Sequence, residues 1–188
     1  RPEIYHPCGQ IEDEVYVYGS FLQSKMYAQG VGCMNCHDPH TGNRIADDNS
    51  LCTQCHSTAG NTEFPTLIKA DYDTPDHHFH QQGSTGAECK SCHMIERTYM
   101  GVDGRRDHSF HIPRPDLSDE TGAPNACTDC HSDQSASWAT DQIETWYPNS
   151  QNSGAHYGQT FSRAITGSPN SSKGLLALAL DENLPSIV

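Results

Sequence analysis

Four strings of the form C-x-x-C-H carry the chemistry legible in this chain: Cys33-Met34-Asn35-Cys36-His37, Cys52-Thr53-Gln54-Cys55-His56, Cys89-Lys90-Ser91-Cys92-His93 and Cys127-Thr128-Asp129-Cys130-His131. Two thiols three residues apart fall on one helical turn, where they can form thioethers with the two vinyl groups of a single haem. The histidine that follows can turn its imidazole toward the iron as proximal ligand. The pattern predicts four covalently attached c-type haems. Cys33, Cys36, Cys52, Cys55, Cys89, Cys92, Cys127 and Cys130 are the attachment points, and His37, His56, His93 and His131 the proximal ligands.

Each iron has a second axial position, and the chain holds 12 histidines. His6, His40, His77, His78, His80, His108, His111 and His156 are left for it. His40 follows His37 by three residues, behind the stiff Pro39. It cannot easily reach over the ring that His37 ligates, so it is expected to serve an adjacent haem. The His77-His78-Phe79-His80 cluster is expected to give one or two ligands, with His77 and His80 ahead of His78. A histidine-rich tract can also bind a stray metal ion, a weaker reading where four irons need ligands. His108 stands in Arg105-Arg106-Asp107-His108, whose arginines could pair with haem propionates. The expected distal set is His40, His77, His80 and His108, with His6, His78, His111 and His156 as alternates. Met26, Met34, Met94 and Met100 could also ligate iron, but with histidine in surplus they read as packing residues.

The elements that must hold these groups are sparse. Only 34% of the 188 residues are hydrophobic, against about 45–50% in an ordinary globular chain. Four macrocycles, each a large flat apolar body, would supply the missing core, giving a mainly α fold with extensive irregular loops built around haem. Ile11, Val15, Tyr18, Leu22 and Met26 recur at helical spacing and predict a helix over 10–28, stopped by Gly30 and Gly32. Asp38-Pro39, Thr41-Gly42-Asn43 and Ile112-Pro113-Arg114-Pro115-Asp116 predict turns and loops. Helices are expected over Ser135 to Trp146, His156 to Ile165 (with Gly167 as a stop) and Lys173 to Asp181. All haem sites fall in residues 1–135, a tetrahaem domain; 136–188 is a helical tail that caps the last haem or docks a neighbour.

Cys8 is the one cysteine outside the motifs. It reads as a small buried apolar residue, with an intermolecular disulfide or a reactive thiol as alternatives. The formal charge of −13 makes a poor nucleic-acid binder and favours cationic partners or metal-bearing substrates. No run reaches the roughly 18 apolar residues of a membrane span. Covalent haem attachment occurs outside the cytoplasmic membrane, so the chain is expected to be a mature exported protein, periplasmic or extracellular, whose signal peptide has been removed.

Beyond the motifs, Glu14-Val15-Tyr16, Ser24-Lys25-Met26-Tyr27, Gly30-Val31, Cys33–His40, Leu51–His56, Tyr72-Asp73-Thr74, His77–His80, Cys89–Met94, Tyr99-Met100, Arg105–His108, Pro113–Ser118 and Pro124–His131 resemble a group of bacterial multihaem cytochromes. That group is related to the hydroxylamine-oxidoreductase and cytochrome c nitrite reductase lineages. The resemblance covers about residues 12–147 and implies an exported electron-transfer protein. In many members helical repeats follow, and Leu175–Val188 is similar to the beginning of one. A looser resemblance is to small tetrahaem cytochromes that polymerise into extracellular filaments; here His6 and Cys8 could serve across an interface, making the chain a possible homopolymer. Its partners would be redox proteins or extracellular electron acceptors. Histidine at every distal position leaves no iron open to substrate, and no C-x-x-C-K variant occurs, so an electron carrier is expected. The alternative is a haem enzyme, or a subunit of one, that reduces or oxidises a small nitrogen compound at an open haem.

Overall fold

The computed structural model describes residues 3–13 and 15–185. Glu14, in the opening stretch of the resemblance, and Ser186, Ile187 and Val188, at the end of the repeat-like segment, lie outside the described residues.

Short helices joined by loops dominate. In chain order they are α1 (Val17–Phe21), α2 (Lys25–Ala28), α3 (Ser50–Thr53), α4 (Pro75–His78), α5 (Cys89–His93), α6 (Ser118–Thr121), α7 (Ala126–Cys130), α8 (Ala136–Trp146), α9 (Tyr157–Ile165) and α10 (Ser171–Ala179). One antiparallel ribbon, β1 (Glu96–Tyr99) with β2 (Asp103–Arg106), completes the regular structure of the described residues, and single 3-10 turns lie between. The chain divides into two compact units, Lys25–Cys92 and a second formed by Arg1–Ser24 with His93–Val188.

The helix expected over 10–28 is not continuous. Ile11 forms an isolated antiparallel bridge with Tyr5, and its N–H donates to the buried Asp107 carboxylate at 3.1 Å. Helix begins only at Val17 and breaks after Phe21. The cause is polar competition. Ser20 bonds back to the Val17 carbonyl at 3.0 Å and accepts the His108 N–H at 3.2 Å, a side-chain alternative to the helical ladder. The projected stripe is therefore not one face: Ile11 is 4% exposed while Tyr18 is 56% exposed, and the aromatic buried here is Phe21, outside the stripe, against Phe110 with ring centroids 6.4 Å apart. The expected stop at Gly30 is a Schellman end to α2. Val31 N–H reaches the Met26 carbonyl at 3.0 Å, Gly30 N–H reaches Tyr27 at 2.9 Å, and Gly30 supplies the left-handed φ of +89°.

The tail forms three helices close to the expected bounds. Ser135 caps α8, its hydroxyl accepting from Trp138 N–H. α9 and α10 pack together, and Gly167 takes a φ of +71° between them. Residues 136–185 belong to the unit that also holds residues 93–135. Arg114 grips Asp116 with both arms of its guanidinium and donates to the Asn152 and Gly154 carbonyls. Glu120 receives Gln159 at 2.8 Å and Arg163 at 3.0 Å. The Tyr157 hydroxyl donates to the Cys8 carbonyl at 2.7 Å. A Cβ on Gly158 would meet the Cys8 Cα at 2.8 Å, so the close approach of α9 needs glycine there. Cys8 itself is 3% exposed, clustered with Leu117 and Ala123, and burial pushes its thiol pKa up.

The ribbon has little signature in the sequence. Met100 and Gly101 both have positive φ, and the three-residue turn 100–102, closed by Val102 N–H on the Tyr99 carbonyl at 3.2 Å, brings Tyr99 opposite Asp103. Arg97 on β1 grips Asp129 of α7 bidentately, at 2.8 and 2.9 Å. The ribbon thereby braces the fourth C-x-x-C-H turn.

Candidate functional site

Each C-x-x-C-H string folds as a single helical turn. The histidine N–H bonds to the carbonyl of the first cysteine at 2.9 Å in the first and second motifs and 2.8 Å in the fourth. The third motif is the whole of α5. Residues i, i+3 and i+4 of such a turn share one side, so both sulfurs and the imidazole project together. Among the described residues no disulfide joins any cysteines. Asn125 fixes the start of α7, accepting from Thr128 N–H at 3.0 Å and donating to Ser118 at 3.1 Å.

The ring hydrogen bonds sort the histidines. A backbone carbonyl can only accept, so a ring nitrogen facing one must carry the proton, and the other nitrogen then holds the lone pair. His37 Nδ1 donates to the Gly42 carbonyl at 3.0 Å, His93 Nδ1 to His111 at 2.9 Å, and His108 Nδ1 to Arg106 at 2.8 Å. His80 Nδ1 donates to the His78 carbonyl. Four rings are thus set in the tautomer whose Nε2 can bind a metal, the usual second shell of a ligating imidazole. His78 is used differently: its Nδ1 accepts from His80 N–H and its Nε2 donates to Gln82, both at 3.2 Å. His156 is also committed, its Nδ1 capping α9 by accepting from Gly158 N–H at 3.1 Å.

His40 stands on an exposed turn organised by Asp38, whose Oδ1 accepts from Thr41 N–H at 2.9 Å, His40 N–H at 3.0 Å and the Thr41 hydroxyl at 3.1 Å. These donors hold the Asp38 carboxyl below its usual range. His56 and His77 both meet Tyr72 edge-on, at centroid separations of 5.9 and 5.1 Å. His131 lies against Trp138 at 5.1 Å. His6 is half-buried and its pKa is lowered, chiefly by burial. Arg105 is engaged by Asp103 and the Val15 carbonyl, and Arg106 by Glu96 and the Met94 carbonyl. Met34 and Met100 are 72% and 76% exposed, outside any packing role here.

No family model, curated protein or solved structure matches this chain. Its own residues must carry the reading.

Several features fit haem. His111 was only an alternate, yet its Nε2 is buried with no hydrogen-bond partner, and burial holds the ring neutral by lowering its pKa. An unsatisfied buried imidazole costs about 1–3 kcal/mol unless something occupies it. The signal available in the sequence was its spacing from His108 in His108-Ser109-Phe110-His111. Gly86 lies flush against the His80 ring, where a Cβ would come within 2.3 Å. The cleft of about 450 Å³ beside His37 is walled by Gly42, Asn43, Arg44 and Asp47, a polar lining that does not itself match an apolar macrocycle. Among the described residues no three His, Cys, Asp or Glu side chains gather to hold a bare metal ion. A porphyrin-bound iron needs only two protein ligands, so that arrangement is compatible with haem.

His156 gives a pH signature. Burial first, then Arg114 and His111, push its pKa down from 6.5 to about 4. The unfolded chain therefore takes up the proton first as pH falls. The stability contributed by neutral His156 is complete above 6.5 and is lost as pH drops through about 4. For a partly exposed ring the loss is about 1–2 kcal/mol after allowance for solvent screening. His156→Asn keeps a capping oxygen without the titration, so its urea midpoint should fall less between pH 7 and pH 4. An equal fall in both proteins would contradict the assignment.

Proposed function

We propose that the chain is an exported tetrahaem c-type cytochrome of the multihaem group, and that it carries electrons rather than transforming a substrate. The observation that carries this reading is the folding of all four C-x-x-C-H strings as single turns, with two sulfurs and an imidazole on one side. His37, His56, His93 and His131 are the proximal ligands. The distal ligands are drawn from His40, His77, His80, His108 and His111. Haem, when bound, supplies reversible one-electron chemistry at iron.

The chain's own groups hold and tune it. Carbonyls of Gly42, His78, Arg106 and His111 fix ring orientation and raise ligand basicity. Burial keeps His93 and His111 neutral, the form a metal requires. The net charge of −13 favours cationic redox partners or metal-bearing acceptors. No helix of the described residues is long and apolar enough to cross a membrane.

Low-temperature EPR of the oxidised protein tests the reading. Four low-spin ferric signals, unperturbed by cyanide, nitrite or hydroxylamine, are expected. A high-spin component that shifts on adding any of them would favour an enzyme with an open haem.

A further inference from the structure

Asn49 occupies the position from which an asparagine normally caps its own helix, yet it makes no side-chain bond to α3. The neighbouring Asp48 takes that duty, accepting from Ser50 N–H at 3.0 Å. The Asn49 amide instead reaches across the Lys25–Cys92 unit. Its Oδ1 accepts the N–H of Cys89, the first residue of α5, at 2.9 Å. Its Nδ2 donates to the Ala87 carbonyl at 2.9 Å and to Asp73 Oδ1 at 2.8 Å. A donor on one side and acceptors on the other leave the amide only one orientation. One side chain thus ties the start of the second C-x-x-C-H turn to the start of the third.

The sulfurs follow. Cys52 lies three residues after Asn49 on α3, and Cys89 is the residue whose N–H Asn49 accepts, so one amide brings the two thiols near enough for each to bias the other's ionisation. On the opposite side, Gln54 Nε2 donates to the Asn35 carbonyl within the first motif at 3.2 Å. The second motif is therefore fastened to both of its neighbours.

We propose that Asn49 is a positioning residue that registers the second haem-attachment turn against the third, so that Cys52 and Cys89 form the junction between two adjacent haems. The inference rests on the tetrahaem reading and deepens it: the attachment sites of this unit run in the spatial order first, second, third. Each thioether sulfur is bonded directly to a vinyl-derived carbon on the edge of its macrocycle. Two attachment residues drawn together by one amide would therefore bring two ring edges to the same place. Gln54 is the weaker, more exposed tie, and Asn49 the stronger, with three bonds.

The test uses the haem-loaded protein, fully reduced, in which bis-histidine ferrous haems are diamagnetic and give sharp proton spectra. A nuclear Overhauser cross-peak is expected between the thioether-bridge protons at Cys52 and those at Cys89. In Asn49→Ala the cross-peak should be lost while four haems remain. Asp73→Ala, which releases the other end of the same amide, should weaken it and serves if Asn49→Ala does not accumulate. A four-haem wild-type chain without the cross-peak overturns the junction, and an undiminished cross-peak in either variant overturns the role of Asn49. A wild-type chain with no haem overturns the tetrahaem reading itself, so the two failures are distinguishable.

Discussion

A chain produced without covalent haem, by changing all eight motif cysteines to alanine, is expected to show no cooperative unfolding transition. The apolar residues buried in the described chain are few: Cys8, Ile11, Phe21, Ala87, Tyr99, Leu117, Ala123 and Ala139. Three of these are alanines, with no side chain of consequence to bury. The helices carrying the motifs are no more than five residues long, far below the roughly 12–15 residues at which an isolated helix becomes marginal in water. Ordering the backbone costs about 1–2 kcal/mol per residue, and so thin a core does not offset that cost. Large apolar side chains meanwhile lie open, among them Tyr16 at 90%, Val102 at 87% and Ile68 at 75%. The haem-free variant should give a broad, non-sigmoidal thermal melt and exchange its amides without protection. A sharp transition with protected amides would mean that the polypeptide supplies its own core.

Replacing His111 with alanine is expected to move one of the four haems from low-spin to high-spin, or to leave it open to an added ligand such as imidazole. Replacing His78 should change nothing in the haem spectrum. The two rings differ in what their nitrogens already do. His78 has both engaged within the protein, by His80 N–H and by Gln82. His111 has a buried Nε2 with no partner, and its own carbonyl already accepts from the proximal His93. That carbonyl sits behind the His93 ring, away from any iron that His93 ligates. On the tetrahaem reading, the His111 imidazole is therefore proposed to serve a different haem from His93. EPR and optical spectra of the two variants, each normalised to haem content, give the comparison. A low-spin spectrum in His111→Ala matching the parent would remove His111 from the ligand set.

What could be read beforehand was local. A C-x-x-C-H turn closes within five residues, so its spacing determines its geometry with no help from the rest of the chain. The tail helices were likewise legible from nearby signals: Ser135 at the start of α8 and Gly167 after α9. The failures involve partners far away in the chain. The stripe from Ile11 to Met26 has helical spacing, but Asp107, 96 residues on, claims the Ile11 N–H, and His108, 88 residues on, claims the Ser20 hydroxyl. Asn49 carries no sign in the sequence that it will cap a helix beginning 40 residues later. The histidines were alike as letters. Only their ring hydrogen bonds separate His78 and His156, already committed, from His80, His93 and His108, set in the ligating tautomer. The ribbon has only a weak sequence signal, Thr98-Tyr99 before a Gly101 turn, short and set among loop-forming residues.

The pyridine haemochrome assay, combined with the intact mass of the purified protein, tests the central claim most directly. The account predicts four haems per chain, retained after denaturation and acid–acetone extraction because each is bonded through two sulfurs. A chain without haem, or one whose haem is removed by that extraction, would contradict it.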